Sequence, residues 1–185
     1  MNSRIERIFP KLVTAGYRET SPATPEYNCI AWAVMKEDEC WWPDAFGDYY
    51  WPPDVPRVET VEAFIEAYSL FGYTPCETAD WELGSEKIAL FVDSQGMPTH
   101  AARQLPSGKW TSKLGQLEDI EHDTLEGLTE GLYGKVGPIL KRPIQEPEGQ
   151  SASEQFIGKF HGGKGNLSQD TGEQFTEIVA EKHHK

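Results

Sequence analysis

Lys87-Ile88-Ala89-Leu90-Phe91-Val92-Asp93, then Thr99-His100-Ala101-Ala102-Arg103-Gln104-Leu105, then Lys109-Trp110-Thr111-Ser112-Lys113-Leu114, is the stretch that decides the fold. The first run is apolar at every position from Ile88 to Val92, which suits a strand covered on both faces. Pro106-Ser107-Gly108 separates the other two runs and reads as a hairpin turn. A fourth strand is expected over Tyr133 to Leu140, after a loop rich in acids at Glu118, Asp119, Glu121 and Asp123. Together these segments predict an antiparallel meander.

Upstream of the meander the apolar period lengthens to that of helices. Ile5, Ile8, Phe9 and Leu12 recur at helical spacing with Pro10 interrupting, so a short helix and a break are expected there. Residues 18 to 28 carry Ser21-Pro22 and Thr24-Pro25, which favour extended or turn backbone. A helix is expected to start at about Asn28, a residue whose side chain caps well. Residues 41 to 56 mix Trp41, Trp42, Phe46, Tyr49, Tyr50 and Trp51 with four prolines, the composition of a long irregular loop. Val58, Val61, Phe64, Ile65 and Tyr68 then predict an amphipathic helix of about 58 to 71, closed by Gly72. Helices first and strands after give an α+β fold. Residues 1–143 are read as that domain. Residues 144–185, with four Lys against seven Asp or Glu and few apolar side chains, are read as a flexible acidic tail with a terminal helix near 172 to 182.

Length and charge narrow the function classes. A chain of 185 residues, 38% apolar, buries one core of ordinary size. Its net charge of −13 opposes a general grip on nucleic acid or anionic lipid, both of which need clustered Lys and Arg. No run of 18 apolar residues offers a membrane span, and Met1 to Arg7 lacks the layout of a secretory signal, so a cytoplasmic protein is expected. Cys29, Cys40 and Cys76 form no Cys-x-x-Cys pair and are expected to be reduced thiols.

Chemistry enters at Tyr27-Asn28-Cys29-Ile30-Ala31-Trp32-Ala33. A thiol in the first turn of a helix faces unpaired amides and partial positive charge, which favour the nucleophilic thiolate. Acyl transfer also needs a base, a group that orients it, and oxyanion donors. His100, among small neighbours on a strand, is the candidate base. Asp119 and Ser112 are the candidates to orient it. Which side chains share a face with His100 depends on the turn: one loop length gives Thr111 and Lys113, a loop one residue shorter gives Trp110 and Ser112. Asn28, Trp32 and Lys113 are the candidate substrate contacts. Each residue also has a plainer reading: Cys29 as a small buried hydrophobe, His100 as a structural strand histidine, and the aromatic loop as packing. A zinc site from Cys29, Cys76, His100 and His122 lacks any close-spaced ligand pair, so no metal and no cofactor are expected.

Asn28-Cys29-Ile30-Ala31-Trp32-Ala33, with Trp41-Trp42-Pro43, Tyr50-Trp51-Pro52, Thr99-His100-Ala101-Ala102-Arg103 and Trp110-Thr111-Ser112-Lys113-Leu114-Gly115, resembles a family of uncharacterised bacterial proteins over roughly residues 10 to 143. That family is similar in turn to papain-like cysteine hydrolases, which set a Cys at a helix start ahead of an antiparallel sheet that carries the His. The resemblance implies a papain-like fold, a thiol peptidase or amidase acting on a peptide or amide, Cys29 as nucleophile and His100 as base. It implies no third residue. The alternative from another class is a non-catalytic protein-interaction module, including a part in a bacterial toxin or defence system, whose aromatic loop and acidic surface meet a protein partner.

Overall fold

The computed structural model describes residues 3–144. The acidic tail and its terminal helix therefore lie outside the described residues. In chain order the elements are α1 (Ser3–Ile8), α2 (Leu12–Ala15), β1 (Tyr17–Ser21), α3 (Cys29–Ala33), α4 (Val61–Ser69), β2 (Thr74–Cys76), β3 (Ser85–Val92), β4 (Pro98–Gln104), β5 (Trp110–Lys113), β6 (Asp119–His122) and β7 (Lys135–Pro143), with two short 3-10 turns between β6 and β7. The strands form one antiparallel seven-stranded sheet in the order β1-β6-β5-β4-β3-β7-β2.

Both faces of this sheet are covered. Ile88, Leu90, Ala101 and Leu140 pack on one side with α3, α4 and the aromatic residues Trp41 and Trp51. Ala89, Phe91, Ala102, Trp110, Ile120 and Ile139 pack on the other with α1, α2 and the 125–133 segment. Successive strand residues point to opposite faces, so an unbroken apolar run in β3 is what two cores require. Of the expected meander, β3, β4 and β5 are successive neighbours, whereas the fourth strand, β7, returns to the other edge of β3 and the place beside β5 is taken by β6.

The papain-like architecture is not. A papain-like fold packs substantial helices against its sheet, whereas here the sheet dominates and the helices are short. The helix that Cys29 begins has five residues. Val34 already leaves helical geometry, and Met35 adopts a left-handed φ of 60°, where a helix stops. Helix α4 starts three residues later than its apolar spacing suggests, because the Thr60 side chain accepts from Ala63 N and sets the cap. The acidic segment at 119–122 is a strand rather than a loop, paired with β5 on one side and β1 on the other. No helix among the described residues is long and apolar enough to cross a membrane.

Candidate functional site

Asn28 sets the geometry around Cys29. Its backbone is extended, and its Oδ1 accepts from Ala31 N, which caps α3. The same oxygen accepts from Trp41 N, and Nδ2 donates to Trp41 O at 2.8 Å. The amide is thus engaged on both sides in tying the helix start to the aromatic loop.

Cys29 is 7% exposed and packs among Ile30, Tyr68, Leu90 and Ala101. Burial pushes its thiol up to about 11; backbone donors from Ala101, Cys29 and Ile30 pull the other way and lose. The first-turn amides are therefore present, as the sequence suggests, but desolvation outweighs them.

His100 lies one residue along β4 from Ala101, so its side chain leaves the sheet on the opposite face. Its ring stacks on Tyr133 with centroids 4.0 Å apart and an 8° tilt, and meets Phe91 edge-on at 5.3 Å. Tyr133, Phe91 and Ala102 belong to the core across the sheet from Cys29. The backbone of β4 stands between the thiol and the imidazole.

The turn has the shorter of the two lengths considered: Leu105 N donates to Lys109 O, and Gln104 pairs with Trp110. That register brings Ser112 to the His100 face. His100 Nε2 lies 3.0 Å from Ser112 Oγ, which lies 2.9 Å from His122 Nε2. His122 Nδ1 is 2.9 Å from the Thr124 carbonyl. A carbonyl only accepts, so Nδ1 of His122 carries a proton, and because burial holds the ring neutral, Nε2 is bare. Ser112 then donates to His122 and accepts from His100 Nε2–H. Direction along the chain is fixed, and both rings are neutral. Burial lowers the pKa of each, that of His122 to about 4, with the two histidines also opposing one another at His100. Nδ1 of His100 faces no partner. All three side chains are fully buried.

Lys113 and Asp119 occupy the Cys29 face. Asp119 Oδ2 accepts from Tyr27 Oη at 2.5 Å and from the Ser21 hydroxyl. Its Oδ1 has no hydrogen bond and lies 3.8 Å from Lys113 Nζ, which donates to the Leu117 carbonyl. The ammonium sits 5.2 Å above the Tyr27 ring. Burial lowers the Lys113 pKa, with Asp119 opposing that shift, and raises that of Tyr27 to about 12. Trp32 donates to Thr111 Oγ1 at 3.2 Å and stacks on Tyr27.

The sheet thus divides the predicted set. Cys29, Trp32, Lys113 and Asp119 share one face, and His100 and Ser112 share the other. Asp119 has no access to the His100 imidazole, and Ser112, which does touch it, donates its hydrogen bond to His122. Sequence reasoning gave His122 no role beyond the disfavoured zinc set. Its signal was the alternation Ile120-Glu121-His122, obscured by flanking acids. Among the described residues no cluster of three or more His, Cys, Asp or Glu side chains is placed to hold a metal ion.

Two open cavities flank α3. One of about 570 Å³ lies beside Tyr27, Cys40, Trp42 and Tyr49. The larger, about 790 Å³, opens where α3 and α4 end over the sheet and is lined by Met35, Leu70, Phe71, Glu86, Arg103 and Arg142, among others.

The model of a family described as a domain of unknown function, DUF7689, matches residues 18–141. No curated protein and no solved structure matches the chain.

Proposed function

The chain belongs to the DUF7689 family, and from that premise we propose that it is a non-catalytic binding module in which the buried thiol and imidazoles hold the fold. The observation that carries this reading is the strand between Cys29 and His100: a nucleophile and its base must come within hydrogen-bond reach, and these two leave β4 on opposite sides. Supporting it, the Cys29 pKa is raised by burial and the His100 pKa lowered by it, the reverse of what a thiolate–imidazolium pair needs. Asn28, Ser112 and Asp119 each have structural partners that account for their placement.

Thiol alkylation tests the proposal. With iodoacetamide at pH 6, each cysteine is followed by peptide mass spectrometry on the folded full-length chain. Cys40 and Cys76, both partly exposed, are expected to react at least about tenfold faster than Cys29. Preferential labelling of Cys29 would return the chain to the thiol enzymes.

A further inference from the structure

The protein carries thirteen more negative than positive charges, yet the cavity of about 790 Å³ at the ends of α3 and α4 is lined by a net positive charge. Three charged side chains line that cavity: Arg103, Arg142 and Glu86, two guanidinium groups against one carboxylate, a net of +1. All three nitrogens of Arg142 have partners. Its Nε and Nη2 hold Glu86 Oε2 at 2.8 and 2.7 Å, its Nη1 donates to the Phe71 carbonyl at 3.1 Å, and its plane lies 4.5 Å from the Tyr73 ring centroid. Tyr73 Oη also donates to Glu86 Oε2.

Arg103 is less well matched. Its Nη1 is 3.5 Å from Glu86 Oε1, long for a hydrogen bond, and its buried Nε has no partner at all. A guanidinium has five N–H donors in a planar fork, and a buried donor left unmatched costs free energy. The Arg103 guanidinium lies over the Trp32 ring, 5.7 Å from its centroid. Around this under-used cation stand apolar side chains that the fold leaves open: Met35 at 53% exposure, Leu70 at 59% and Ile144 at 45%, with Phe71 behind them.

We infer that this cavity is a binding site for a small carboxylic acid with an apolar body, its carboxylate on Arg103 and its hydrocarbon against Met35, Leu70, Phe71 and Ile144. A planar carboxylate matches the guanidinium fork, and the charge complements the local +1. A cavity of about 790 Å³ has room for such a ligand, since small-molecule sites run from roughly 300 to 1,000 Å³. Aliphatic or aromatic atoms beyond the carboxylate gain by leaving water. The inference rests on the binding-module reading only in taking binding, not turnover, as what the cavity does.

Octanoate is the probe, with octanol and octylamine as the uncharged and cationic controls, titrated calorimetrically into the full-length protein at low salt. Octanoate is expected to bind saturably at one site and at least about tenfold more tightly than either control. Arg103→Gln should weaken octanoate by about tenfold or more and leave octanol unchanged. Leu70→Glu, at an exposed position where folding is not at stake, should weaken octanoate comparably by placing a like charge at the mouth. Absence of saturable octanoate binding, equal binding of octanol, or indifference to both substitutions overturns the site. If octanoate fails while Cys29 stays the slowest thiol, the site falls and the binding-module reading stands. If octanoate binds and Cys29 labels fastest, the site stands and the binding-module reading falls.

Discussion

Acidification from pH 7.5 to 5.0 should weaken the fold through His122. Folded His122 is held neutral by burial with a pKa of about 4, whereas the unfolded residue titrates near 6.5. Above about pH 6.5 neither state is protonated and stability is unaffected. Below it the unfolded chain takes up a proton that the folded chain refuses, so stability falls with pH until the folded pKa is reached. At pH 5.0 the difference amounts to about 2 kcal/mol from His122 alone, and it tends to a limit of about 3 kcal/mol near pH 4. His100, lowered in the same direction by burial and by His122, adds to the loss. Urea unfolding followed by tryptophan fluorescence at the two pH values gives the slope. The His122→Gln protein supplies the reference, because carboxylate contributions common to both proteins cancel in the comparison. The wild type should lose about 2 kcal/mol more than the variant over that interval. Equal slopes, or a wild type that gains stability relative to the variant on acidification, would refute the neutral, buried relay.

Ser112→Ala leaves a buried donor on His100 and a buried acceptor on His122 without partners, and should cost about 2–4 kcal/mol in urea unfolding at pH 7.5. Asn28→Ala removes the α3 cap together with both bonds to Trp41; about 2 kcal/mol is expected, with amide exchange quickening over 41–50 as well as in α3. Gly134→Ala should give no cooperatively folding protein by circular dichroism, because a Cβ there collides with the Val92 carbonyl at a positive φ of 76°.

What the sequence made legible follows from local rules. Ile88 to Val92 can alternate into two cores and nothing else in the chain reads that way, and Asn28 before an apolar run marks a cap wherever it occurs. The 119–122 strand was hidden because Asp119 and Glu121 look like solvent-facing acids, and only the tertiary partners of Asp119, the Tyr27 and Ser21 hydroxyls and the Lys113 that register places opposite it, make a buried aspartate tolerable. The separation of Cys29 from His100 was hidden more deeply. Helix-then-strand order is the same whichever face α3 covers, and parity along β4 decides everything: at position 101 a histidine would have faced the thiol, and at 100 it faces Tyr133. A one-residue offset in a period of two carries no compositional signature. The turn register had the same ambiguity, and there the choice between Thr111 and Ser112 as the neighbour of His100 waited on whether Lys109 belonged to the loop or to the strand.

Histidine ¹⁵N NMR, comparing the native protein with Cys29→Ser, tests the central claim that thiol and imidazole lie on opposite sides of the sheet. The account predicts that at pH 7 His100 is the neutral Nε2–H tautomer, that His122 is the neutral Nδ1–H tautomer, and that neither changes state when the sulfur is removed. A His100 imidazolium at pH 7 that becomes neutral in Cys29→Ser would contradict it, because only an ion pair with the Cys29 thiolate behaves that way.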